Sequence, residues 1–270
     1  MPVRALVAAA GVLGFTDNSV RVALARLLAS GHVERDERGA YRLGGSASFV
    51  QSYVSGWRRR ESTTRPWRGD WIAAFTEAAP RGDRPLTRRR ARAFQLAGLR
   101  PLEPNLWLRP ANLREGAGGL RSRLQSADAA GGVLVGELHE LDADAATRAG
   151  ALWDADALTD GYRQAVGELD RSARRLDGMD EAAAMAESFT VGGRVLRRII
   201  NDPLLPDPIV PTELRRTMTD AMRAYDKLGR ARWAAFMTRH GCPAMRLPTD
   251  RRIGTDSATW AATFEGGTTT

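Results

Sequence analysis

The sequence predicts an α+β chain built from several domains, and three observations carry that prediction. Near the N-terminus, a helix with a capping signal is followed by two short runs of alternating polarity. Through the middle, strand-like and helix-like stretches take turns, as in a layered α/β unit. Beyond residue 142, long helices of apolar period dominate, interrupted by a proline-rich connection. The parts divide at 1–45, 46–69, 70–142 and 143–270.

Residues 4–10 form a short helix, and residues 11–15 make the bend after it. The next helix opens on Thr16, Asp17, Asn18 and Ser19, each able to accept hydrogen bonds from the free amides of a helix start. Val20, Leu24, Leu27 and Leu28 follow at helical spacing and gather on one apolar face. Asn18, Ser19, Val22 and Arg26 point the opposite way, with Arg21 on the flank. Gly31 stops the helix. Residues 32–36 and 40–43 then pair as a hairpin whose apolar positions are Val33, Tyr41 and Leu43.

Helix, turn, helix, hairpin is the order of a winged helix-turn-helix, whose second helix enters the major groove of double-stranded DNA. In that geometry Asn18, Ser19, Val22 and Arg26 face bases. Thr16 and Arg21 lie nearer the phosphates, and Arg38 at the hairpin tip reaches backbone or minor groove. The same order also serves as a dimerisation or protein-docking module, which is the main alternative. Only Pro2 and Val3 precede Arg4, so the back of this small core needs a cover: chain upstream of Met1, another part of the chain, or a partner subunit.

Residues 46–69 form a connector. A helix over 46–57 carries Phe49, Tyr53, Val54 and Trp57, and Arg58, Arg59 and Arg60 follow it. Those arginines read either as phosphate contacts or as a solvated helix end. The next part reads as a strand at 71–75, a helix at 86–97, a strand at 106–108, a glycine-weakened helix at 112–125 and a strand at 132–141. Alternation on this scale fits a ferredoxin-like sandwich. The rest is helical: 145–176, 182–200, and a long helix capped by Thr212 that runs through Met218, Met222, Tyr225, Leu228 and Trp233. Prolines 203, 206, 208 and 211 stiffen the connection before it, and the last ten or so residues read as a loose tail.

Charge placement says more than the net +8. Residues 1–130 hold 22 arginines against 11 acids, a balance of +11, whereas residues 131–270 hold 18 basic residues against 21 acids, a balance of −3. The surface suited to a polyanion is therefore the N-terminal half. No apolar run approaches the ~18 residues that span a bilayer, so no membrane partner is expected. A single cysteine, Cys242, precludes an internal disulfide and fits a reducing cytoplasm.

Several segments, taken in order, resemble the PaaX-like family, the phenylacetic acid degradation type of transcriptional repressor. The run Asn18-Ser19-Val20-Arg21-Val22-Ala23-Leu24-Ala25-Arg26-Leu27 is similar to the family's "VR…RL" core. Trp67, Trp71 and the run Leu102-Glu103-Pro104-Asn105-Leu106-Trp107-Leu108-Arg109-Pro110 resemble its "L.P..W..P" strand. Asp202-Pro203-Leu204-Leu205-Pro206, with Pro211, resembles its "DP.LP…P" connection. The chain departs from the pattern in lacking the family's N-terminal helix and in carrying Thr212-Glu213-Leu214 where a tryptophan is usual.

This resemblance implies a winged helix, a ferredoxin-like middle domain similar to that of a CRISPR-associated endoribonuclease, and a helical C-terminal domain. It also implies a homodimer that represses transcription from a palindromic operator and leaves it on binding a small-molecule effector. For the best-known members that effector is a coenzyme A thioester; nothing in the residues themselves specifies coenzyme A.

Candidate chemistry is sparse, and no enzyme activity is expected. His32, His139, His240 and Cys242 are too few and too scattered for zinc, and Glu137 with His139 on one strand face supplies only two ligands. There is no P-loop, no GxSxG and no strand-borne GxGxxG, and no cofactor is expected. A metal-dependent nuclease, the remaining alternative, needs several acids about one phosphate, and Asp70 alone is suggestively placed.

Overall fold

The computed structural model describes residues 1–36, 39–47, 55–77, 84–126 and 129–242. Arg38, the expected helix positions Phe49, Tyr53 and Val54, and the tail beyond 242 lie outside the described residues. The chain is α+β; the described residues form two antiparallel sheets, of two and four strands, among long helices.

Helix α1 (Val3–Val12) and helix α2 (Asp17–Ala29) are joined through Gly14, whose φ of 82° an L side chain would resist. Thr16 is the N-cap of α2: its Oγ1 accepts from the Ser19 amide at 3.3 Å. Gly31, at φ 67°, ends the helix. Strands β1 (Val33–Arg35) and β2 (Tyr41–Leu43) pair with Val33 opposite Leu43, and the Asp36 carboxylate accepts from the Ala40 amide at 2.8 Å in the turn. Pro2 bridges to Ala40, and Met1 and Tyr41 exchange two 2.7 Å bonds, so the N-terminus lies along the hairpin.

Leu24 is buried, as its place on the apolar face requires. Leu27, counted on the same face, is 39% exposed. By helical period it stands at one edge of the stripe, on the side away from Leu28.

Strands β3 (Trp71–Thr76), β4 (Arg100–Glu103), β5 (Leu106–Pro110) and β6 (Val133–Leu138) form the larger sheet in the order β4-β5-β3-β6. Helix α3 (Arg84–Leu96) lies between β3 and β4 in the chain, and helix α4 (Gly116–Ser126) between β5 and β6. Ala73 stands opposite Leu108 on one side and Gly136 on the other. Both faces of the sheet are covered at its centre, while Phe75 and Leu134, paired at one end, stay exposed. Ile72 and Ala74 join Phe94, Leu99, Leu120 and Leu124 in one core, while Trp71, Ala73 and Leu108 join a second core made with the C-terminal helices. That explains why β3 is apolar at successive positions rather than alternate ones.

The C-terminal part contains α5 (Ala143–Gly150), α6 (Ala155–Leu176), α7 (Glu181–Asn201) and α8 (Thr212–Arg239). One expected helix over 145–176 is thus two. Asp154 caps α6, accepting from the Ala157 amide at 2.8 Å, and Trp153 before it is buried in a stack on Trp71 with ring centroids 6.3 Å apart. Thr212 is not the cap of α8. Pro211 holds that place, and the Thr212 hydroxyl donates to Asp207 at 2.5 Å. Helices α6, α7 and α8 pack on one another, and α1 packs against α7, so another part of the chain covers the back of the first unit. Among the described residues no helix is long and apolar enough to cross a membrane.

Candidate nucleic-acid interface

The outward face of α2 is set by its cap and its period. Thr16, Asn18, Ser19, Arg21, Val22 and Arg26 are all exposed, and Val22 keeps 44% of its surface despite being apolar. Asn18, Val22 and Arg26 stand four residues apart on one line along the helix, and Arg21 flanks them. Thr16 spends its oxygen on the cap, and its hydroxyl lies 2.9 Å from that of Ser19. A cap of this kind leaves other amides of the first turn open to solvent, where an anion is welcome.

The arginines here differ from those elsewhere. Neither Arg21 nor Arg26 makes an ion pair or a side-chain hydrogen bond among the described residues. On the C-terminal helices, by contrast, Arg175, Arg194, Arg232 and Arg239 each pair with a carboxylate: Glu187, Glu168, Asp177 and Glu181. In the hairpin, Arg42 is neutralised by Glu34 at 2.7 Å, whereas Arg35 is exposed with no such partner among the described residues. His32 is held by Ser30, 2.8 Å from its Nδ1.

The arginine triplet divides. Arg58 pairs with Asp226 and lies over the Trp57 ring at 4.5 Å, and Arg60 donates to the Asp202 carbonyl at 2.9 Å. Both tie the 3-10 helix Gly56–Thr63 to the C-terminal part; Arg59 alone is exposed.

Sequence reasoning missed a buried polar cluster where the middle and C-terminal parts meet. Arg215, 2% exposed, donates to Glu61 at 2.7 and 3.3 Å and to the Leu205 carbonyl at 2.6 Å. Asp202 accepts from the Tyr162 hydroxyl at 2.6 Å and from the Leu204 amide at 2.8 Å. Burial pushes the Asp202 carboxyl up, opposed by Arg215 and by those two donors. Arg109, also 2% exposed, donates to the Pro203 carbonyl at 3.3 Å and to Asn112, which in turn donates to the Leu204 carbonyl at 2.6 Å. Gly98 is required beside it. Its φ is +79°, and a Cβ there would stand 2.9 Å from the Arg109 guanidinium.

Asp70 does not gather acids about it; its carboxylate sits 2.8 Å from His139 Nδ1. Among the described residues no cluster of three potential metal ligands exists. The hydrogen bond to Asp70, then its charge, raises the His139 pKa above the ordinary imidazole value. The pair therefore stabilises the fold below the unfolded imidazole pKa and ceases to do so as pH rises through the folded value. Titration followed by NMR should place the His139 midpoint above an ordinary histidine's, and Asp70→Asn should bring it down. A midpoint unmoved by that substitution would show the pairing absent in solution.

No family model matches the chain, and no curated protein matches it. Among solved structures, the chain is similar to uncharacterized protein Rv0674 from Mycobacterium tuberculosis. The two share 23% identity over 86% of this chain and 91% of that one, with a TM-score of 0.56. The likeness shows a shared fold spanning most of both chains.

Proposed function

We propose that this chain is a DNA-binding transcriptional repressor, with 1–45 as a winged helix-turn-helix, 70–142 as a ferredoxin-like domain and 143–270 as a helical domain. The observation that carries it is the outer face of α2. A capped helix, backed by a hairpin, presents Asn18, Val22 and Arg26 in one line to solvent, and Arg21 and Arg26 are without carboxylate partners among the described residues. Exposed guanidiniums, Arg21 in the first half of the helix and Arg26 in its last turn, suit phosphate and guanine edges. By its resemblance to PaaX-like repressors, the protein acts as a homodimer on a palindromic operator and is released by a small effector such as a coenzyme A thioester.

A mobility-shift assay on the DNA upstream of the protein's own gene tests this. Arg26→Ala should cost about 1–3 kcal/mol and relax base preference at one operator position. Unchanged affinity and preference would reject the role of Arg26. Phe15 and Leu43, 59% and 54% exposed, favour a second reading in which the unit docks a protein through apolar surface. Salt separates the two, since binding through several phosphates weakens steeply with ionic strength and apolar docking does not.

A further inference from the structure

A cleft of about 530 Å³ opens where the connector, the segment after β5 and the start of α8 meet. That is within the range of small-molecule sites, about 300–1,000 Å³. Thr64 bridges antiparallel to Leu113, and an arginine crosses the bridge in each direction. Arg65 donates its Nε to the Ala111 carbonyl at 3.1 Å, and Arg114 donates its Nε to the Ser62 carbonyl at 3.0 Å. Each guanidinium is thereby fixed at one edge, while its two Nη atoms make no further bond among the described residues. A fork held in this way matches the two oxygens of a carboxylate or phosphate.

Of the acids in the cleft, Glu61 is neutralised by Arg215. Asp207 accepts from the hydroxyl and amide of Thr212, which hold its carboxyl below the usual range; it stays ionised and is outnumbered by the arginines around it. Arg216, near the start of α8, adds a third exposed cation, 4.0 Å from Glu213. Trp67 supplies a flat apolar wall: its indole N–H donates to the Asp70 carbonyl, and its ring stands edge-on to Trp71 at 5.2 Å.

We infer that this cleft binds a small organic anion, with a carboxylate or phosphate head gripped by Arg65, Arg114 and Arg216 and a planar apolar body laid against Trp67. The site stands independently of the DNA reading, since none of its residues lies on α2 or the hairpin.

Calorimetric titration of the full chain with naphthyl phosphate, naphthoate, inorganic phosphate and uncharged naphthol tests it. An anionic naphthyl probe should bind and the uncharged naphthol should not, and whichever anion binds tighter identifies the head group. Arg65→Gln and Arg114→Gln should each weaken that probe about tenfold or more, while Arg59→Gln, outside the cleft, should leave it unchanged. Arg216→Gln breaks no bond between segments, so a weakening there is not a folding defect. Failure of both naphthyl anions to bind at millimolar concentration would overturn the site. So would binding undiminished in the Arg65→Gln/Arg114→Gln double variant.

Discussion

Replacing Arg215 with methionine is expected to destabilise the protein by about 3–5 kcal/mol, because it strands charge in the interior. The guanidinium is almost wholly enclosed and serves Glu61 through two bonds, with Asp202 3.9 Å from its Nε. Methionine fills much of the volume but offers no positive charge, so both carboxyl groups lose their counter-ion. Denaturant unfolding followed by tryptophan fluorescence would show the midpoint fall. Adding Glu61→Gln should recover part of the loss, because one of the stranded charges is then gone. A loss below about 1 kcal/mol would mean that the pair is solvated rather than buried.

Phe94→Ala is the second large expectation, also about 3–5 kcal/mol. Phe94 is fully enclosed between the sheet and its two helices, and its ring meets Trp107 edge-on at 5.1 Å. The loss combines the transfer of the ring with the cavity left behind, since sheet and helices cannot both close the gap. Near-ultraviolet circular dichroism should register the changed setting of Trp107, and the unfolding midpoint should drop. A variant as stable as the parent would show that the core collapses freely, contrary to the close packing of protein interiors.

Much of the candidate interface was legible because helix physics is local. Thr16 and Ser19 mark the start of α2, the apolar period sets its inner face, and the side chains read as outward are outward. Strand β4 was missed because Pro101 and Pro104 break a strand pattern. It survives as an edge strand with a register shift between Pro101 and Glu103, where a missing amide is tolerated. The break before α6 hid inside a continuous helical period, and only the burial of Trp153 against a distant strand reveals it. Arg109 and Arg215 were indistinguishable in sequence from three dozen other arginines. What sets them apart is enclosure, and enclosure comes from tertiary contact alone. The same holds for Arg65 and Arg114, whose relation is a bridge between residues 49 positions apart in the chain.

The strand that begins at Trp71 sends neighbouring side chains to two separate interiors, indole and methyl one way, isoleucine and methyl the other. An insertion of a single residue within it would exchange the two sets at a stroke, driving an indole into space shaped for a branched aliphatic chain. Residues 71–74 should therefore tolerate only like-for-like replacement, and length changes should be accommodated only in the turns on either side of the strand.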